Sequence, residues 1–482
     1  MRIRHAAPLA ALALLVSACE APTVPDLNNP TEAEYAKITD RSQLQAYATG
    51  ILDGDRQTHG TQVLYFETIG RDLVRFDPAE SRYITRLLGL SLSNSDFIGN
   101  SIWTEPYRVV RSANLFITAV DSAKVEISAQ EKSAIRGFAR TFEALSVMRT
   151  IEARDTRGVP IETRPDVLVP IRCKPAVLAY VSALLDSAAT DLSAAGSTPF
   201  PFGFPSGFAG FDTPATFRLF NRGLKAKVEM YRGFLPLQTK GDTVAPDVVH
   251  LNAALAALDS SFYDPTPTIV SFQRGVYHTY AIASGETQNP LSDRNVFRAN
   301  RRVIRDSVFV IPAGDSTASL LRVDAAEAGD LRIQAKIDTS SSNINRISGS
   351  GATNLQSRYL LKQPGSPTDR MGLLRNEELV LMRAEILWGL NRDAEALTLV
   401  NNVRQVAGLG STTFADHRTL LRGILKEKRY SLLFESPSRM IDYRMFGILN
   451  ELGRERGFNP ITNFPIPNNE AVARNQVLTC TN

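Results

Sequence analysis

Apolar residues recur along this chain at the spacing of helices. Leu44, Tyr47 and Ile51 stand at i, i+3 and i+7. Trp103, Tyr107, Val110, Asn114 and Ile117 make one stripe, and Ile135, Phe138, Phe142 and Leu145 another. The pattern returns at Leu178, Val181, Leu185, Ala188 and Leu192, at Leu224, Val228, Tyr231 and Leu235, and at Leu251, Leu255, Leu258 and Phe262. A stripe of that period is one face of an amphipathic helix, and successive helices on short links must bury those faces against one another. The spacing therefore predicts a mainly α protein built from helix pairs.

Between about 264 and 370 this periodicity gives way to Ser, Thr, Asn, Gly and Pro. Leu331, Ile333, Ala335 and Ile337 alternate with Arg332, Gln334, Lys336 and Asp338, and Val308 and Val310 with Phe309 and Ile311. Period two predicts a little β among long loops, and a loop-rich stretch in a helical protein is where a specialised surface belongs. Helices resume at Glu377. Leu379, Met382, Ile386 and Leu390 line one, Asn391-Arg392-Asp393 turns, and Ala394, Leu397, Asn401 and Arg404 line the next, which ends at Gly408. This αα-hairpin has tetratricopeptide-like spacing, although no strict repeat of about 34 residues covers the chain. A last long helix is predicted over 419–434, followed by an irregular tail.

The N-terminus differs from all of this. Arg2 and Arg4 precede an apolar run over 6–18, too short to span a bilayer and of the form of an export signal. Ser17 and Ala18 directly before Cys19 look like a bacterial lipobox, in which the thiol is diacylated and Cys19 becomes the new N-terminus. Two or three acyl chains, at roughly 0.8 kcal/mol per buried methylene, hold stably where one does not. The expected organisation is a signal peptide over 1–18, a lipidated Pro-rich spacer over 19–30 and a single domain over 31–482. That domain divides into a helical part to 263, a variable insertion over 264–370 and a C-terminal helical part from 371.

Composition adds limits. Of the 482 residues 43% are hydrophobic and 22% charged, which is ordinary for a globular protein. The 54 basic and 50 acidic residues give +4, and two of the basic ones lie in the signal, so nothing points to nucleic acid. Cys173 and Cys480 would sit in an oxidising compartment, where a disulfide between them and two separate thiols both stay open. His5, His59, His250, His278 and His417 are scattered without metal-ligand spacing, and no nucleophile elbow or phosphate-binding loop occurs. No metal, cofactor or catalytic set is expected.

Several blocks, taken in order, resemble a known family. Asn100-Ser-Ile-Trp103-Thr-Glu-Pro-Tyr107, running on to Ala113-Asn114, is similar to the W-x3-Y-x6-N helix of the SusD/RagB outer-membrane lipoproteins. The segment from Ala134 to Leu145, followed by Gly158-Val159-Pro160-Ile161, resembles that family's R-A-x-x-Y-F-x-L and G-x-V-P-L segment. Arg375, Glu377, Ala384 and Glu385, then Asn401, Arg404, Ala407 and Gly408, match another block. Glu427, Arg429, Phe434, Glu435, Arg439, Asp442, Arg444 and Gly447 match the next, and Phe464-Pro465-Ile466-Pro467 with Glu470 matches the closing one. Departures are Ser436-Pro437-Ser438 in place of Glu-Gly-x, Ser431 in place of an acidic residue, and Glu20 alone after Cys19 where many members carry an acidic surface-export signal.

The resemblance implies a helical scaffold with tetratricopeptide-like helix pairs. It also implies an outer-membrane, lipid-anchored protein, surface-facing, that captures oligosaccharides or other polymer fragments without catalysis. The capture protein would be the lid of a SusC-like TonB-dependent transporter. A glycan-degrading lipoprotein enzyme, a peptide-binding import subunit and a purely structural scaffold are the alternatives.

Sugar binding needs aromatic faces beside amides, guanidinium groups and carboxylates. Two clusters supply both: Arg71, Asp72, Phe76, Asn94, Asp96, Phe97 and Asn100, and Tyr277, His278, Tyr280, Gln288, Asn289, Asp293, Arg294 and Asn295. Against the first stands a polar loop with Asn100 as a helix N-cap, and against the second a strand whose tyrosines face a core. Phe200, Phe202, Phe204, Phe208 and Phe211 on a Pro/Gly loop read either as an exposed platform or as rings tucked into the body. Trp103 and Trp388, at helical spacing, read as core. Arg383, Glu385, Arg404, Glu427, Arg429, Glu435, Arg439, Asp442 and Arg444 read as an ion-pair network stitching the last helices.

Overall fold

A computed structural model describes residues 37–89, 92–163, 167–241, 244–284, 286–304, 326–347, 355–453 and 459–481. The signal segment, Cys19 and the spacer lie outside the described residues, as does the Val308 to Ile311 alternation.

Helix α1 (Ser42–Ile69) leads through strand β1 (Leu73–Arg75) and the one-turn α2 (Arg82–Thr85) to α3 (Phe97–Asp121). Then come α4 (Ala129–Arg154), α5 (Lys174–Ala194), α6 (Pro214–Lys240) and α7 (Val248–Asp259). Apart from α2, each packs on the next: α1 on α3, α3 on α4, α4 on α5, α5 on α6 and α6 on α7. Local sequence sets where they start. Ser128 Oγ accepts from the Glu131 amide at 3.2 Å while Glu131 reaches back to the Ser128 amide at 2.8 Å, a capping box for α4. Thr213 with Thr216, ahead of Pro214 in the first turn, does the same for α6, and Asp247 caps α7. The predicted stripe Ile135, Phe138, Phe142 and Leu145 is buried throughout, as are Leu178, Val181, Leu185, Ala188 and Leu192. Each such Leu, Ile, Val or Phe side chain contributes roughly 1.5–3 kcal/mol on leaving water.

The phenylalanine loop is tucked in. Phe202 meets Phe138 of α4 edge-on at 4.9 Å, Phe204 lies 5.8 Å from Phe217 in the first turn of α6, and Phe211 meets Phe262, just beyond α7, at 4.9 Å. Edge-to-face contacts at these separations are the arrangement that ring quadrupoles favour. Trp103 and Trp388 are core residues too, and the Trp388 indole donates to the His417 carbonyl at 2.7 Å.

The middle of the chain carries the short strands. After α8 (Ile269–Gln273) come β2 (Gly275–His278), β3 (Phe297–Ala299), α9 (Arg301–Ile304), α10 (Leu331–Lys336), β4 (Ile337–Asp338), β5 (Asn345–Ile347), β6 (Leu355–Ser357), β7 (Leu360–Leu361) and β8 (Met371–Arg375). An antiparallel sheet in the order β1-β3-β7-β4 ties this region to the first helix pair, with Leu73 opposite Ala299 and Arg75 opposite Phe297. Strand β2 pairs with β8, which runs directly into α11 (Asn376–Gly389). The strand expected over 331–338 is mostly helix. The Asp330 carboxylate accepts from the Arg332 amide at 2.9 Å, and the buried residues Ile333, Lys336 and Ile337 fall at helical spacing against the last long helix. An eight-residue alternation fits a short helix as well as a strand, and the cap decides.

The C-terminal part continues with α12 (Asp393–Val406), α13 (His417–Ser431), α14 (Ser438–Met445) and α15 (Asn468–Ala473). Helix α11 packs on α12, α13 and α7, and α14 docks on α1 and α6, which closes the two helical parts on each other. The charged network expected here is real and reaches further than its own helices. Arg404 pairs with Glu427 at 2.8 Å, and Lys428 bridges Glu385 and Asp442 at 2.9 Å each. Arg439 reaches back to Asp72 at 2.9 Å, and Arg444 donates to the Glu152 carbonyl at 2.6 Å. Arg383 is the exception, pairing with Asp259 near the surface at 2.6 Å. Cys173 and Cys480 form a disulfide across a sequence separation of 307, beside a short parallel bridge between Arg172 and Thr481.

Candidate ligand-binding face

The segment between β1 and α3 folds around its own small apolar cluster, Val74, Phe76, Ile84 and Leu88. Burying those four turns Tyr83, on α2, toward Arg75 and Phe97. The Arg75 guanidinium lies over the Tyr83 ring at 4.1 Å and over the Phe297 ring at 5.6 Å. Tyr83 meets Phe97 edge-on at 5.5 Å, and Arg82 covers Phe97 at 4.6 Å. Antiparallel pairing of β1 with β3 brings Phe297 into this row, so residues more than two hundred positions apart form one strip of rings and guanidinium groups. Tyr83 and Phe97 stay half-buried, and burial pushes the Tyr83 hydroxyl above its ordinary pKa.

The charges of the strip are paired locally. Arg75 holds Asp77 at 2.8 Å, Arg82 holds Glu80, with Nε to Oε1 at 2.8 Å, and Arg86 lies 3.6 Å from Asp96. The hydrogen bond from Arg82 keeps Glu80 below its usual carboxylate value. The result is a polar surface with aromatic area and little net charge, which suits a neutral polyhydroxyl ligand. Among the described residues no group of three His, Cys, Asp or Glu is placed to hold a metal ion.

The sequence candidates divide by burial. Asn94, Phe97 and Asn100 keep part of their surface open, Phe97 within the strip itself, and the Asn94 amide donates to Asn468 Oδ1 at 3.4 Å. Asn100 is not the N-cap: α3 starts at Phe97 behind Asp96, which is extended at φ −68° and ψ 135° and accepts from the Ser93 amide at 2.8 Å. Arg294 is exposed on the turn before β3, beside exposed Asp293 and Asn295.

The others turn inward. Arg71 and Asp72 are fully buried: Arg71 donates to the Ile69 carbonyl at 2.9 Å, and Asp72 accepts from Arg429 at 2.7 Å and from Arg439. Asp72 ties the end of α1 to the C-terminal helices, because a buried carboxylate needs charged partners. His278 is buried with His59 around Asp55 and Arg149. His278 Nε2 lies 2.9 Å from Asp55 Oδ2, Arg149 pairs with Asp55 Oδ1 at 2.6 Å, and His59 Nε2 contacts the Gly372 carbonyl at 3.0 Å. Burial lowers both imidazole pKa values, outweighing Asp55 in the case of His278. Tyr280 is buried under Arg56 at 5.9 Å, and Asn289 is spent on the Asp369 carbonyl and the Leu291 amide. Tyr277 faces a separate cavity. Four residues of the strip, Arg75, Arg82, Tyr83 and Phe297, escaped the sequence reading. A tyrosine set among Asp77, Glu80, Arg82 and Arg86 was the available signal.

No helix among the described residues is long and apolar enough to cross a membrane. No family model matches the sequence, and no curated protein does. Solved structures do match in fold. A SusD-like protein from Bacteroides fragilis aligns with a TM-score of 0.64 at 16% identity, over 91% of this chain and 96% of that one. Surface glycan-binding protein A from Bacteroides uniformis aligns with a TM-score of 0.64 at 14% identity, over 91% and 99%. A laminarin-binding SusD-like protein aligns with a TM-score of 0.61 at 16% identity, over 92% and 98%. Likeness at these identities concerns the backbone, and by it this mainly α chain has the SusD-like fold.

Proposed function

We propose that this protein is a SusD/RagB-type capture subunit, anchored in the outer membrane through acyl chains on Cys19. It binds an oligosaccharide on the strip formed by Tyr83, Phe97, Arg75 and Arg82 and passes it to a SusC-like TonB-dependent transporter. The observation that carries this reading is the strip itself, half-open rings flanked by guanidinium groups and amides on the loop side of a helical scaffold. Proteins sharing the fold are described as surface glycan-binding and laminarin-binding, which supports the ligand class. Asn94, just before α3, Asn100, in its first turn, and the exposed Arg294, on the turn before β3, are the candidate hydroxyl-pairing groups. Asp77, Glu80 and Asp96 are each committed to an arginine. Glycoside hydrolysis needs one carboxyl kept protonated beside another that is ionised, so this pairing supports capture without turnover.

Calorimetry of the lipid-free mature chain against a panel of soluble glucans, xylans and host-type glycans tests the reading. Tyr83→Ala is expected to weaken the ligand found by about tenfold, about 1.4 kcal/mol, with the far-UV spectrum unchanged. Binding that survives both Tyr83→Ala and Phe97→Ala at wild-type affinity would remove the strip as the site.

A further inference from the structure

A second cavity lies beside the strands, apart from that strip. It is a cavity of ≈ 260 Å³ between β2, β8, α10 and the ends of α12 and α13. Its floor is charged but internally satisfied. Arg375 pairs with Glu377 at 2.9 Å and with Glu435 at 2.7 Å, and Lys336 pairs with Glu435 at 2.8 Å. Burial alone would raise the Glu435 carboxyl, yet Arg375 and Lys336 outweigh it and hold it below its ordinary value. The walls are mixed, with Gln273, Gln363 and the Asp330-paired Arg332 among apolar residues, two of which reach the surface: Ile269 is 58% and Leu331 48% exposed, with Val406 and Phe434 behind.

The mouth is different. Arg370 is exposed, its guanidinium lies 4.0 Å over the Tyr277 ring, and no carboxylate among the described residues pairs with it. The Tyr277 hydroxyl donates to the Gln273 carbonyl, which fixes the ring that carries Arg370. A partly apolar slot with a satisfied floor and one uncommitted cation at its entrance has a definite complement. We infer that this cavity is a second ligand site, for a small amphipathic carboxylate whose apolar body seats against Ile269, Leu331 and Val406 while its anion pairs with Arg370. At about 30 Å³ per water, the cavity corresponds to roughly nine waters, room for a body of about ten non-hydrogen atoms. A guanidinium suits a carboxylate because it offers two parallel donors, and stacking on Tyr277 holds it in place.

Calorimetric titration of the full mature chain with 3-phenylpropionate and its neutral amide tests this. The acid is expected to bind at least about tenfold more tightly than the amide, Arg370→Gln to abolish that difference, and Ala335→Trp, at the cavity wall, to abolish binding of both. Tyr83→Ala is expected to leave acid binding unchanged, which separates this site from the glycan strip. Equal binding of acid and amide, a preference that persists in Arg370→Gln, or no binding of the acid up to about 10 mM overturns the inference.

Discussion

Replacing Lys428 by Met removes the cation that bridges two buried carboxylates. Lys428 Nζ donates to Glu385 at 3.0 and 2.9 Å and to Asp442 at 2.9 Å, and the three side chains are 3%, 0% and 4% exposed. Breaking a buried pair from one side leaves uncompensated charge and costs about 3–5 kcal/mol, against about 5–15 kcal/mol for the stability of a whole domain. The pH dependence gives a second readout. Burial raises the Glu385 and Asp442 carboxyls, and Lys428 is the first-ranked opposing influence on both. Without it both rise further, so the folded variant holds protons that the unfolded chain has released. A carboxyl raised on folding has its stability contribution present below the unfolded pKa and lost as pH rises through the folded value. The variant is therefore expected to lose stability more steeply than the wild type between about pH 5 and 9. Urea denaturation followed by far-UV circular dichroism across that range measures both effects. Adding Glu385→Gln to Lys428→Met is expected to recover part of the loss, since one buried charge is gone. A deficit below about 1 kcal/mol, or two parallel pH profiles, would refute the account of this triad as a charge-compensated core element.

Two further outcomes follow from the same reasoning. Cys480→Ser opens a loop spanning 307 positions, so guanidinium denaturation is expected to show a loss on the order of 5 kcal/mol by chain entropy. Hydrogen exchange should also speed up at the Arg172 and Thr481 amides, and unchanged exchange there would mean that the tail is held without the bond. His59 and His278 have lowered pKa values through burial, so the unfolded chain binds protons below about pH 6.5 that the folded chain does not. Stability present above that value is then lost on acidification. His278→Gln should flatten the fall between about pH 6.5 and 5, as read by thermal unfolding at stepped pH.

The helical architecture was legible in the sequence because a helix places its buried face at i, i+3, i+4 and i+7, a relation among near neighbours. The stripes at Ile135 to Leu145 and Leu178 to Leu192 needed only that rule, and caps such as Ser128 with Glu131 marked a start. The motif charges of the last helices were also readable as internal. What could not be read was the partner of each charge. Asp72 stood among surface candidates because it is charged and adjoins Arg71, yet Arg439, 367 positions away, claims it. His278 and Asn289 misled in the same way, since a polar residue looks alike whether it faces solvent or a buried partner.

The chain order of hydrophobic residues alone thus determined that this is a mainly α protein of paired helices with a loop-rich insertion, since helix periodicity is a local property. The tertiary structure decided which polar and aromatic residues are left for a ligand. That choice is a remainder: burial demands partners for every charge, strand pairing carries Phe297 to Arg75, and only groups not consumed by packing, such as Tyr83, Phe97 and Arg370, stay at the surface.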